Sequence, residues 1–293
     1  MHVHVKRTID AGGSLTASVA ARLEEAIEHV VIGQEEAVHD ALIAVLAGGH
    51  CLFLGPSGVG KSLMGSAVAR ALSQPFVEVA ATPDARDDRL PEGGVIVISE
   101  IARAATAVRV ALLDQSPAGS TIFATHNPFD PAGSPLTDAE FDRIMLATRF
   151  DYPTAEEERA LLRRPETLRA AVVIEADELL RARAEVAGVP AASNVIEYAA
   201  RLARSTRPVH DGEAPAFVHD LVVSGAGPRG ALALMAAARA HALIDGAAAV
   251  SLDDVDAVAP AALRHRIRLS DAARRQGLST DDVISRIIPL ARK

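Results

Sequence analysis

Between Gly55 and Ser62 the chain reads GPSGVGKS, which satisfies the pattern G-x-x-x-x-G-K-[ST]. Few stretches of this length constrain a fold as strongly. The glycines let consecutive backbone N–H groups turn toward a phosphate, and the start of a helix adds positive potential at the same point. Such a loop needs a buried strand before it and a helix after it. HCLFLG enters it as a short apolar run, and KSLMGSAVARALSQ leaves it with helical spacing. Lys61 is placed to reach the β- and γ-phosphates, and the Ser62 hydroxyl to ligate Mg²⁺. Lysine usage agrees: it occurs only at Lys6, Lys61 and Lys293, with arginine almost everywhere else. Arginine can replace lysine on most surfaces, but a compact ammonium against phosphate is harder to replace.

Around this loop strands and helices alternate. Helices are predicted over 15–30 and within IGQEEAVHDALIAVLAGG, where Gly48-Gly49 is a stop signal. PFVEVA, VIVIS, STIFAT and IMLATRFDY read as the second to fifth strands, with AATAVRVALLDQ as a helix between the third and fourth. After Tyr152-Pro153 only helical patterns remain. TAEEERALLRR opens on a Thr cap followed by acids, and further helices are predicted over 175–187, 191–205, 215–223, 228–245, 251–268 and 279–291. Strands alternating with helices, then helices alone, predict a parallel α/β domain over residues 1–153 and a helical lid over 154–293.

Three strand ends carry further chemistry. VIVISE puts Glu100 at the exit of the third strand, where it can polarise water beside the phosphate loop. Ser99 stands just before it, where a second acid is expected; a hydroxyl there can at best hold a metal-bound water. FATHNP ends the fourth strand at Asn127, a side chain able to orient that water, although an Asn before a Pro is also ordinary turn chemistry. EFDRIM places Arg143 ahead of the fifth strand, either as a cation for phosphate or as a surface partner of Asp142. GAGPRGALAL starts a lid helix at Arg229, a position the helix dipole disfavours and a nucleotide on the same chain would favour.

Composition narrows the class. A net charge of -8 gives no general attraction to nucleic acid or anionic membranes. The single cysteine, Cys51, allows no internal disulfide. No apolar run approaches the roughly 18 residues of a membrane helix, and the first residues lack a signal-like apolar core. A cytoplasmic protein is expected.

Phosphate loop, Glu-ended strand, Asn-ended strand, Asp-Arg before a fifth strand and Gly-Pro-Arg in a helical domain occur in the order of an AAA+ ATPase. In finer detail the chain resembles the MoxR family. IGQEEAVHDALIAVLAGGH is similar to that family's opening segment, ATPD at 81–84 to its second-strand exit, and SEIARA to its DEINRA strand end. ATHNPFDPAGSPLTDAEFDRIML is similar to its ATQNP-to-LDRF stretch, and GPRGALALMAAARAHALIDG and LDDVDAVAPAALRHRI to its lid helices. The likeness covers roughly residues 20–270. It implies a P-loop AAA+ fold, a five-stranded parallel sheet flanked by helices with an all-helical lid. It further implies ATP with Mg²⁺, a ring, usually hexameric, and a chaperone-like role toward a partner protein, often one carrying a von Willebrand A domain.

Carried over residue by residue, Pro56, Ser57, Gly58, Val59, Gly60, Lys61, Ser62 and Leu63 hold the nucleotide phosphates, and Ile32, Gly33 and Gln34 lie near adenine. Ser62 and Ser99 face the metal. Glu100 becomes the catalytic base, Asn127 the first sensor, Arg143 the finger supplied to a neighbouring subunit and Arg229 the second sensor. The chain departs from the family at Ser99 and Ala102, which replace the Asp and Asn of DEINRA. It also departs in the short link of about 14 residues between the second and third strands and in the direct link from Leu113 to Thr121. These suggest slowed hydrolysis and an unusual grip on substrate. A hydrolysis-deficient nucleotide switch or a regulatory subunit of a mixed ring is the alternative; a DNA-associated motor fits the charge less well.

Overall fold

Several helix starts in this chain are set by side-chain caps. The computed structural model describes residues 14–82, 93–114, 119–164, 168–209 and 214–293. Ser14 caps α1 (Leu15–Glu28) by accepting from the Ala17 N–H at 3.0 Å. Its buried stripe of Val19, Leu23, Ala26 and Ile27 follows the helical period. After α2 (Glu35–Leu46), β1 (Cys51–Leu54) leads into the phosphate loop and α3 (Lys61–Ala71). Then come β2 (Phe76–Ala80), β3 (Val95–Ser99), a single 3₁₀ turn at Ile101–Arg103, α4 (Thr106–Asp114), β4 (Thr121–His126), α5 (Asp138–Phe141) and β5 (Leu146–Arg149).

The five strands form one parallel sheet in the order β2-β3-β4-β1-β5. Its faces alternate with the two-residue period of a strand. Cys51, Phe53, Val97, Phe123 and Leu146 point to the side covered by α2 and α3. Leu52, Ile96, Ile98, Ile122 and Ala124 point to the side covered by α4 and the segment around Leu136 and Ile144. Phe53 and Phe123 stack with ring centres 4.8 Å apart, and Phe150 tilts against Phe53 at 4.9 Å. The central strands are buried on both faces and read as apolar runs. β2 is an edge strand whose residues are exposed or half-buried in alternation.

The second half is helical: α6 (Ala155–Leu162), α7 (Ala176–Gly188), α8 (Ser193–Arg204), α9 (Ala216–Leu221), α10 (Pro228–Ile244), α11 (Leu252–Leu263), α12 (Asp271–Arg275) and α13 (Thr280–Ala291). Reciprocal capping boxes, Thr154 with Glu157, Ser251 with Asp254 and Ser279 with Asp282, start α6, α11 and α13. Two of the expected helices are shorter than their patterns. The one over 215–223 ends at Leu221 because the β-branched pair Val222-Val223 turns extended, and β6 (Val222–Ser224) pairs antiparallel with β7 (Arg268–Leu269). The one over 251–268 ends at Leu263. α1 joins the two halves: it packs on α2 and α3 on one side and on α7 and α10 on the other.

Candidate functional site

The phosphate loop is shaped by two close constraints. A Cβ at Gly55 would lie 2.2 Å from the Phe150 carbonyl oxygen, so only glycine fits where β1 passes β5. Gly60 has φ of 95°, a left-handed conformation that turns the chain into α3. Lys61 is buried, and its Nζ donates to the carbonyls of Gly55 at 2.7 Å and Pro56 at 2.5 Å. Burial pulls its pKa below the ordinary lysine value, against the raising effect of Glu100. Val59 packs on the core. Ser57, Gly58, Gly60, Ser62 and the half-exposed Leu63 line a cavity of about 320 Å³.

The exits of β3 and β4 complete that cavity with Ser99, Glu100 and Thr125. Ser62 Oγ and Ser99 Oγ are 3.1 Å apart, and the Ser99 hydroxyl donates to the carboxylate of Glu78 on β2. Glu100 adopts φ 56° and ψ 51°, a left-handed conformation rare for a residue with a side chain. Its N–H donates to Thr125 Oγ1 at 2.9 Å, which holds the turn. Strained residues of this kind gather at functional sites. Asn127 Nδ2 reaches Ser57 Oγ at 3.3 Å, and its Oδ1 accepts from the Phe129 N–H at 3.0 Å. The amide is thereby aimed at the phosphate loop. The neighbouring His126 is held below its ordinary pKa by burial and then by Lys61, so it stays neutral at pH 7.

The donors on this side are hydroxyls and carboxylates, the hard oxygen ligands that suit Mg²⁺ rather than a thiolate-seeking metal. The Ser62–Ser99 hydroxyl pair at 3.1 Å, backed by Glu78, fits such an ion.

Gln34 is buried, and its Nε2 donates to the Asp151 carbonyl at 2.9 Å. A Cβ at Gly33 would meet the Glu157 carboxyl at 2.6 Å. Ile32, Gly33 and Gln34 therefore stand at the exit of β5, on the same sheet edge as the phosphate loop.

Arg143 and Arg229 stand elsewhere. Arg143 lies three residues before Leu146, which pairs with Cys51 at the start of β1, while the phosphate loop follows Leu54 at its end. A four-residue strand spans about 10 Å, so Arg143 is at the opposite edge of the sheet from its own phosphate loop. There Arg143 Nη2 donates to Asp114 Oδ2 at 3.0 Å and Nη1 to the Ala139 carbonyl at 2.6 Å. The bond to Arg143 holds Asp114 below the usual carboxylate range. Arg229 lies 3.6 Å from Asp142, whose other partner is the buried Arg266 at 3.3 Å. Within the chain Arg143 thus pairs with Asp114 rather than with Asp142, and Arg229, expected at its own chain's nucleotide, joins the Arg143 edge instead. The reason is that β5 and the lid meet at the entry side of the sheet, where Arg266 bonds the carbonyls of Ile144 and Met145 at 2.6 and 3.0 Å.

Sequence reasoning missed Glu78, Thr125 and Asp114, and named Asp142 only as a partner of Arg143. Of these, Glu78 becomes recognisable only through the strand register. In parallel pairing Ala80 faces Ser99, so Glu78, two residues earlier, shares the face of Ser99. Pro83 and Asp84 of ATPD, most of the short link before β3 and residues 115–118 of the link before β4 lie outside the described residues.

Comparison with known proteins agrees with this geometry. Residues 51–115 match the ATPase family associated with various cellular activities (AAA), and residues 215–287 match the AAA lid domain. Chaperone MoxR1 of Mycobacterium tuberculosis is 30% identical over 94% of this chain and 84% of its own length. Protein MoxR of Paracoccus denitrificans is 30% identical over 87% of this chain and 91% of its own. A solved structure from Cytophaga hutchinsonii superposes with a TM-score of 0.83 at 24% identity, covering 94% of this chain and 96% of that one; this likeness speaks for the fold. Among the described residues no helix is long and apolar enough to cross a membrane. With the five-stranded parallel sheet, the phosphate loop and the helical lid in place, the chain belongs to the MoxR family of chaperone-like AAA+ ATPases.

Proposed function

We propose that this protein binds ATP with Mg²⁺ at the phosphate-loop cavity and uses slow hydrolysis to remodel or mature a partner protein, within a cytoplasmic homo-oligomeric ring, most simply a hexamer. The observation that carries the nucleotide reading is the convergence of Lys61, Ser62, Ser99, Glu100 and Thr125 on one cavity. A client with a von Willebrand A domain is the partner class the family resemblance favours. The division into a nucleotide domain at 1–153 and a lid at 154–293 is part of the same proposal.

The roles follow from position. Loop N–H groups and Lys61 neutralise phosphate charge, and Ser62 offers a hydroxyl oxygen to the cation. Ser62 and Ser99 would hold a Mg²⁺ ion, which would supply positive charge against the charge that develops on the phosphate. Glu100, at the strand exit and fixed by Thr125, takes the proton of the attacking water. Asn127 orients that water from the Ser57 side. Arg143 and Arg229, on the opposite edge, are placed for a neighbour's nucleotide, where added positive charge stabilises the transition state.

Ser99 supplies no charge of its own. The hydroxyl pair Ser62–Ser99 therefore supports a second reading, a nucleotide switch that binds far better than it hydrolyses. Steady-state ATP turnover separates the two. Ser99→Asp is expected to raise turnover several-fold, and Lys61→Ala to abolish ATP binding. A wild type that turns over as fast as Ser99→Asp would remove the impairment, and tight ATP binding by Lys61→Ala would remove the phosphate-loop assignment.

A further inference from the structure

The weak point of the site is Ser99, and the structure brings a carboxylate to it from another strand. Glu78 lies on β2, whose in-register pairing with β3 sets Glu78 opposite Val97 and Ala80 opposite Ser99. Residues paired across a parallel ladder share a face, so Glu78, Val97 and Ser99 all point to the side occupied by α3. The contact between α3 and that face is close: a Cβ at Gly65 would lie 2.2 Å from Val97 Cγ2. Ser62, in the first turn of α3, is thereby held against the exit of β3.

The hydrogen-bond directions in this group can be read from chemistry. A carboxylate only accepts, and a serine hydroxyl has one proton. Ser99 gives its proton to Glu78. Its bond to Ser62, 3.1 Å long, must then run the other way, with Ser62 as donor. The relay is Ser62 O–H to Ser99 O–H to the Glu78 carboxylate. This direction commits the Ser62 proton to Ser99, which leaves the Ser62 lone pairs free for a cation. Without Glu78 the Ser99 proton could turn toward Ser62 and reverse the pair.

We infer that Glu78 is the positioning acid of the metal site, acting through the Ser99 hydroxyl in place of a carboxylate at position 99. Glu78 does not line the cavity itself; it polarises Ser99 and fixes which way Ser62 faces. The inference rests on the nucleotide reading above and adds to it the means by which a chain with serine at this position still responds to Mg²⁺. The negative charge stands one hydrogen bond further from the cation, so metal binding is retained while the ion is held less firmly for chemistry.

The test uses the full-length protein with Mn²⁺ as a spectroscopic stand-in for Mg²⁺ and with ADP as the nucleotide. Mn²⁺ affinity of the ADP complex is measured by electron paramagnetic resonance, and ADP affinity without metal is measured separately. Glu78→Gln is expected to weaken Mn²⁺ binding roughly tenfold, the scale of one hydrogen bond to a charged group, and to leave metal-free ADP binding unchanged. In a Ser99→Ala background, where the relay is cut, Glu78→Gln is expected to have no further effect. In a Ser99→Asp background it should be neutral or favourable, because two adjacent carboxylates repel. An unchanged Mn²⁺ affinity in Glu78→Gln, or the same loss in the Ser99→Ala background, overturns the relay. A wild type that binds ADP but fails these comparisons overturns the relay alone; a wild type that binds no ADP overturns the nucleotide reading and the relay with it.

Discussion

Single residues set the electrostatics of this protein, and Asp40 shows it away from the nucleotide cavity. Asp40 is buried on α2, and burial pushes its carboxyl up to about 7, against lowering by Thr148 and then Arg264. In the unfolded chain the same group releases its proton near pH 4. Between about pH 4 and pH 7 the folded state therefore binds the extra proton, and stability falls as pH rises through that window. Asp40→Asn keeps the shape and removes the titration. It is expected to flatten this part of the pH profile and to gain on the order of 4 kcal/mol at pH 8, read by urea unfolding at pH 5 and pH 8. An unchanged pH slope in the variant would refute the assignment.

At the scale of elements, the phosphate loop depends on how tightly α3 lies on β3. Gly65 is the contact: any side chain there runs into the fully buried Val97. Gly65→Ala is expected to destabilise by about 1–3 kcal/mol through overpacking. It should also weaken ATP binding, because the first turn of α3 carries Lys61 and Ser62. Denaturant unfolding and an ATP titration check both; a variant as stable as wild type would mean the helix shifts without cost. The loop after β4 has a different support. Arg109 and Glu140 are both buried and bonded at 2.6 Å, and Arg109 also reaches the carbonyl of Ala104 at 3.1 Å. Burial alone would raise the Glu140 pKa, but its bonds to Arg109 and Thr137 outweigh that and hold it low. The pair ties α4 to α5 and so to the turn that presents Arg143.

For the whole molecule, the placement of Arg143 has a direct consequence. Arg143 and the subunit's own phosphate loop lie at opposite ends of the strands, so on the proposed function a neighbouring subunit would supply Arg143 to the site. Lys61→Ala and Arg143→Ala proteins should each be inactive alone. Mixed in equal amounts, they should recover activity, because about one quarter of the interfaces in a random ring join an intact Lys61 to an intact Arg143. Steady-state ATP turnover of the mixture is the measurement, and no recovery from subunits that do exchange would place Arg143 outside the site.

The phosphate loop, the strand-helix alternation and the family were legible in the chain alone, because they rest on local pattern: glycine spacing, apolar period and caps such as Thr154 with Glu157. The sequence also singled out Ser99 as the unusual residue. Two things had to wait for the tertiary structure. One was which edge of the sheet each arginine occupies, since Arg229 is far in sequence from Asp142 and meets it only when the lid folds back. The other was Glu78, which reads as an ordinary edge-strand acid until β2 and β3 are set in register. Both are long-range pairings, and no local pattern encodes which partner a strand or a lid helix will meet.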